Sequence, residues 1–183
     1  MKAPPFNTGW MQTYSGGRFY PGDPESTVIT NVDIAHALSL LCRYGGHVDR
    51  FYSVAEHCVL MSLEVAPENA LYALLHDATE AYVVDVPRPL KVFLDGYKQI
   101  EEGVWRAIAR TYGISVTLPD EVLAADDRIL LTERRVLMPH AERWALDDEV
   151  EPLPVSIGAW EPEWAERAYI ARLNELLAER STR

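Results

Sequence analysis

The sequence predicts an all-α domain, a helical bundle with a small N-terminal β-hairpin. Three observations carry that prediction. From residue 30 onward, apolar residues recur three and four apart, the spacing of one helix face. The helical runs are bounded by Ser/Thr caps and by Gly and Pro. Strand-like pattern is confined to a Gly- and aromatic-rich stretch before residue 21. The chain has 183 residues, the length of one domain. No repeat, low-complexity tract or linker divides it. It is therefore expected to be a single domain over 1–183, with the hairpin and an irregular segment in 1–29 and helices in 30–183.

Each element has its own local reason. Gln12-Thr13-Tyr14 and Arg18-Phe19-Tyr20 flank Ser15-Gly16-Gly17, a Gly-bearing turn. Pro21 and Pro24 then keep the chain irregular. Thr30-Asn31-Val32-Asp33 reads as a capping box before Ile34, Leu38 and Leu41, and Gly45-Gly46 is expected to end that helix. Ser53-Val54-Ala55-Glu56 is a second box, in which Glu56 reaches back to the Ser53 amide, and its helix runs to about Val65. Pro67 suits the first turn of the next helix, whose stripe is Ala70, Leu71, Leu74, Leu75 and Ala78. Val86-Pro87-Arg88-Pro89 stops it, because proline lacks an amide donor and restricts its predecessor. Leu90 to about Tyr112 is amphipathic but interrupted by Gly96 and Gly103, with Gly113 as its cap. Pro119 opens a helix carrying Val122, Leu123, Ile129, Leu130 and Val136. Leu146 to Ala159 reads as a loop with a solvated acidic cluster from Asp147 to Glu151. A last helix covers about Glu161 to Glu179, packed through Trp160 and Trp164.

Charge and composition narrow the function. There are 17 Lys+Arg against 28 Asp+Glu, a formal net charge of −11. That balance excludes duplex nucleic acid and anionic membrane as partners, since both demand a basic surface. It leaves room for a small anionic substrate wherever a cation inverts the sign locally. Cys42 and Cys58 are too few for a disulfide framework and read as reduced, buried thiols. No run approaches the roughly 18 apolar residues of a membrane span. Met1 to Gly17 lacks the layout of a signal peptide, so the expected location is cytoplasmic.

Of the five histidines, His76 is the most informative. His76-Asp77-Ala78-Thr79-Glu80 sits in an apolar helix, where ionisable neighbours are costly unless paired or metal-bound. His57 lies on the preceding predicted helix, and Asp126 lies on a later one beside Ala124-Ala125. His57, His76, Asp77 and Asp126 can form a site of two nitrogens and two carboxylates for one divalent ion. Two imidazoles favour Mn, Co, Fe, Ni or Zn over Mg. The competing reading is a buried ion-pair network. Asp126 is preferred to Asp127 by register.

The order His57, then His76-Asp77, then Asp126 resembles the H…HD…D pattern of HD-domain phosphohydrolases. The likeness extends through Ser53-Val54-Ala55-Glu56-His57-Cys58, Leu74 to Ala81, Asp85-Val86-Pro87-Arg88-Pro89-Leu90-Lys91 and Ala125 to Arg128 with Thr132-Glu133. These stretches are similar to the branch containing bacterial 5′-deoxynucleotidases. Gln12 to Gly16 and Cys42 to His47 resemble its short phage and bacterial members, including enzymes that degrade dATP to deoxyadenosine and triphosphate. The resemblance covers roughly residues 10–138.

The resemblance implies that His57, His76, Asp77 and Asp126 hold the metal. It implies that Glu80 and Asp85 position and activate the attacking water and assist the leaving oxygen. Arg43 matches a substrate-contacting arginine, and Pro89 and Lys91 match the rim that holds phosphate and base. Val84 departs from the pattern, standing where many relatives have Gly before the Asp. The chemistry is consistent with those roles. Residues 51–95 hold seven acids and two cations, Arg88 and Lys91, so any phosphate there needs a metal and placed cations. Arg43, Arg88 and Lys91 are the expected anion clamps. His47, after two glycines, is a further candidate substrate contact. His36 and His140 read as structural. Trp10, Tyr14, Phe19 and Tyr20 read as packing under the N-terminal segment rather than as a stacking surface for a base.

The expected function is hydrolysis of the 5′ phosphoester of deoxynucleotides by a metal-activated water. The substrate would be either a dNMP, giving nucleoside and phosphate, or a dNTP, giving nucleoside and triphosphate. The alternative is a catalytically silent nucleotide-binding regulatory protein of the same fold. No GYP signature or second set of metal histidines is present, so cyclic dinucleotide cleavage at a binuclear centre is not expected. Family members tend to self-associate, which implies a homo-oligomer.

Overall fold

In the structure, a computed structural model, residues 9–138, 140 and 142–182 are described. The first eight positions of the stretch read for a signal layout lie outside them. Strand β1 (Met11–Gln12) pairs antiparallel with β2 (Arg18–Phe19), with Met11 opposite Phe19. Gly16 turns the hairpin at φ 87°, a conformation open to glycine because it has no Cβ. The backbone N–H and hydroxyl of Ser15 donate to the Asp33 carboxylate at 2.7 and 2.9 Å, which fastens the hairpin to the start of the first helix.

Helix α1 (Asn31–Leu40) begins at the predicted cap, with Thr30 accepting from the Asp33 amide. It ends earlier than predicted. Leu41 and Cys42 are extended, and Cys42 forms an isolated antiparallel bridge with Ser53. The chain then makes a single 3-10 turn over Arg43–Gly46, with Tyr44 and Gly45 left-handed at φ 58° and 60°. Gly45-Gly46 therefore shape this turn rather than a helix end. The turn carries Arg43 inward, where it is buried.

Helix α2 (Val54–Ser62) is buried along its whole length. Ser53 caps it as predicted, accepting from the Glu56 amide. The Glu56 carboxylate does not reach back to Ser53. It accepts from the backbone amides of Gly158, Ala159 and Trp160 at 2.7, 3.0 and 2.6 Å, tying a distant loop onto α2.

The predicted continuous helix through His76 and Glu80 is broken in two. Helix α3 (Ala70–Leu75) is followed by turns over residues 76–79 and by a short α4 (Glu80–Val83). The His76 ring meets the Ala73 carbonyl through Nδ1 at 2.8 Å. That carbonyl would otherwise accept from the Asp77 amide. The backbone tightens instead into bonds three apart, Ala78 to Leu75 and Glu80 to Asp77. The end of α4 is abrupt. Val84 sits at φ 63° and ψ 161°, a region natural only to glycine.

The stretch from Leu90 to Tyr112 is likewise two pieces, the short α5 (Arg88–Lys91) and the long α6 (Tyr97–Tyr112). A left-handed Gly96 precedes α6, and the predicted Gly113 cap closes it. Gly103 lies within α6 because a Cβ there would come 2.7 Å from the Pro24 ring. Helix α7 (Asp120–Leu137) buries Val122 and Ile129, whereas Leu123 and Val136 are exposed. In the loop after α7, Asp148, Glu149 and Glu151 are exposed, as expected of a solvated acidic cluster, and Asp147 is the exception. Asp147 pairs with the buried Arg134, and Ala145–Asp148 form a 3-10 turn. Helix α8 (Pro162–Ser181) crosses α1, α2 and α3. It buries Tyr169 and Leu173, and the Tyr169 hydroxyl donates to Leu74 O at 2.9 Å. Among the described residues, no helix is long and apolar enough to cross a membrane.

Candidate functional site

Three helices bring their ionisable residues to one point. His57 comes from the buried middle of α2, His76 and Asp77 from the tight turns after α3, and Asp126 from the first half of α7. The two imidazole Nε2 atoms are 3.3 Å apart. Asp77 Oδ2 lies 3.5 and 3.2 Å from them, and Asp126 Oδ1 lies 3.5 and 3.9 Å from them. Ligands about 2.1 Å from a common ion sit roughly 3.0–3.4 Å apart, and most of these separations approach that range. His57, His76 and Asp126 form one group able to hold a metal ion. Cys58, His76 and Asp77 form a second, overlapping one. Asp126 is the carboxylate that faces the histidines, while Asp127 turns to Arg88.

The histidines are oriented from behind. His76 uses Nδ1 on the Ala73 carbonyl, and His57 uses Nδ1 on Glu133 Oε1 at 2.6 Å, so each directs Nε2 to the shared point. The fields here are strong. Burial alone would raise the Asp77 pKa, but His76, His57 and Arg43 hold it far below the usual carboxylate range. Burial opposes a charged His76, and Asp77 outweighs it, lifting the histidine above its ordinary value. Burial also raises the Cys58 thiol to about 11, which keeps it protonated in the absence of a metal.

The Asp77 and Asp126 carboxylates open onto a cavity of ≈ 440 Å³. Its wall includes Arg43, Tyr44, Glu80, Asp85, residues 86–89, Lys91, Leu130 and Trp144. Glu80 is buried, and among the described residues its Oε2 has no hydrogen-bond partner. Burial, then the neighbouring Asp77 and Asp85, push its carboxyl well above the ordinary glutamate value. Burial raises Asp85 as well, partly countered by Arg43. Lys91 Nζ is 2.7 Å from Glu101 Oε1 and lies over the Tyr97 ring. Arg88 binds Asp126 and Asp127.

Most residues singled out from the sequence thus meet at one place. His47 does not; it is exposed and does not line the cavity. Phe19 packs on Tyr82 and Tyr14 stacks on His36, and neither lines this cavity. Sequence reasoning overlooked Tyr44, Leu130, Trp144 and, above all, the role of Glu133. A signal for Glu133 existed: it stands seven residues after Asp126, on the same face of α7.

No family model matches the chain. It is 45% identical over 128 residues to the uncharacterized protein YfdR of Escherichia coli K12, covering 70% of this chain and 72% of that one. An uncharacterized protein of Rhodobacter capsulatus is 33% identical over 126 residues, covering 63% of this chain and 64% of the relative. With that identity over that coverage, the chain belongs to the YfdR family.

Proposed function

We propose that the protein is a metal-dependent phosphohydrolase that cleaves the 5′ phosphoester of deoxynucleotides. One observation carries the reading: His57 and His76 meet Asp77 and Asp126 beside a cavity whose walls hold the cations Arg43, Arg88 and Lys91 and a buried carboxylate, Glu80, whose Oε2 has no hydrogen-bond partner among the described residues. The sequence resemblance to deoxynucleotidases supplies the substrate class.

His57, His76, Asp77 and Asp126 would hold a divalent ion, which would supply charge neutralisation at the phosphoryl oxygens and acidify water. Two imidazole nitrogens favour a transition metal for that place. The remaining work falls to the chain. Arg43, held by Asp77 and Glu133, presents a fixed guanidinium to an anion in the cavity. Arg88 and Lys91 stand on the other charged segment of the wall and bind the phosphate chain. Glu80, raised by burial and by its acidic neighbours in the metal-free site, would ionise beside a bound cation and accept the proton of the attacking water. Asp85 assists at the departing oxygen. Attack at the α-phosphorus releases the nucleoside together with phosphate or with triphosphate, so one set of residues serves dNMP and dNTP alike.

The test is product identification. Chelator-stripped protein, supplied with Mn²⁺ or Co²⁺, is incubated with dNMPs, dNTPs and ribonucleotides. Nucleoside with phosphate or triphosphate is the expected product pair. No turnover of any nucleotide with any of these metals would overturn the reading.

A further inference from the structure

Glu133 is the most completely enclosed carboxylate in the described site, with no solvent exposure. It receives four donors and divides them between its oxygens. Oε1 takes His57 Nδ1 at 2.6 Å and the Tyr52 hydroxyl at 2.9 Å. Oε2 takes Arg43 Nε at 3.2 Å and the Tyr44 hydroxyl at 2.5 Å. One oxygen therefore faces a residue of the metal-binding cluster, and the other faces the cavity-lining arginine and its neighbour.

We infer that Glu133 is a positioning residue that sets the metal-binding histidine His57 and the cavity arginine Arg43 at once, through the two oxygens of one carboxylate. This rests on the metal-site reading proposed above. Four donors, the Arg43 guanidinium among them, converge on this buried carboxylate. Glu133 is thus a resident anion. Its contact with Nδ1 fixes the His57 tautomer and leaves the opposite nitrogen, Nε2, facing the metal-binding cluster. The same charge holds Arg43 by a side-on contact at Nε, which leaves guanidinium edge for Asp77 and for the cavity. The Tyr44 contact adds a third task. Tyr44 has left-handed backbone, and its bond to Glu133 secures the Arg43–Gly46 turn against the wall of the site.

A pure packing role for Glu133 would leave ligand affinities untouched in a folded variant, so binding separates the two. Co²⁺ is titrated into chelator-stripped full-length protein by visible absorption and calorimetry. Wild type, Glu133→Gln, Glu133→Asp and Tyr52→Phe are compared, with inorganic phosphate then titrated into the Co²⁺-saturated proteins. Glu133→Gln is expected to weaken Co²⁺ about 10- to 100-fold, to alter the Co²⁺ spectrum and to weaken phosphate. Tyr52→Phe, which leaves both the His57 and Arg43 contacts in place, is expected to keep Co²⁺ within about threefold of wild type. Glu133→Asp keeps the charge and is expected to fall between wild type and the glutamine variant; it carries the test if the glutamine variant fails to fold. Unchanged Co²⁺ affinity in either folded Glu133 variant would overturn the inference while leaving the metal site standing. Weakened Co²⁺ with unchanged phosphate would overturn the link to Arg43. No Co²⁺ binding by wild type would overturn the metal-site reading and this inference with it.

Discussion

Arg88 shares the Asp126 carboxylate with the histidine pair. The Arg88 guanidinium bonds Asp126 Oδ2, while Asp126 Oδ1 faces His57 Nε2 at 3.5 Å. Arg88 is largely exposed, on a short segment fixed by flanking prolines. Under the proposed function it would compete mildly with a metal for Asp126 and turn to an incoming phosphate. Arg88→Ala is expected to tighten metal binding a few-fold and to raise KM about tenfold, the loss of one charge-assisted contact. Calorimetry with Co²⁺ and steady-state kinetics check the two halves separately. A fall in metal affinity would show that Arg88 supports Asp126 rather than competing for it.

Metal should stabilise the fold, because its donors come from α2, the turns after α3, and α7. At a Co²⁺ concentration of about 100 times Kd the gain is about 2.7 kcal/mol, a rise in Tm of roughly 5–10 °C for a chain of this size. Asp126→Asn is expected to lose most of that rise, as read by thermal unfolding with and without chelator.

Glu80 predicts a slope in stability against pH for the metal-free protein. Its folded pKa is raised by burial, Asp77 and Asp85. Between the ordinary glutamate value and that raised value, the folded chain holds more protons than the unfolded chain. Stability contributed by protonated Glu80 is therefore complete at or below the ordinary value, and it falls as pH rises through the folded pKa. Glu80→Gln should flatten the dependence of Tm on pH over that window and abolish turnover while keeping Co²⁺. The same slope in the variant would assign the effect to Asp85 instead.

Val84 stores strain where the chain turns toward Asp85. Val84→Gly is expected to stabilise the protein by about 1 kcal/mol, since relief of a glycine-only conformation exceeds the added chain entropy. The Val84 side chain is half exposed and loses little packing. Denaturant unfolding checks this against Val84→Ala, which keeps the Cβ and should gain nothing.

These residues also show where the sequence was legible. Caps speak through nearest neighbours, so Thr30 and Ser53 were readable and stand as expected. The helix-face spacing of α7 selected Asp126 over Asp127. The break after Leu75 was hidden, because it arises from a side chain taking a backbone acceptor, His76 on Ala73. Glu56 offered a plausible local partner at Ser53 and chose amides more than a hundred residues away. Glu133 has the same character. Its four donors come from three separate stretches of chain, and no local pattern announces such a meeting.

Helix α8 follows every other element in chain order, yet it lies across α1, α2 and α3 and bonds the carbonyl of Leu74, two residues before His76. During synthesis, the helices that carry His57 and His76 therefore emerge with their outer apolar faces bare. They wait for Tyr169 and Leu173 to be translated before those faces close. A nascent chain stalled before residue 160 would hold all four donors and still lack the surface against which α2 and α3 are set.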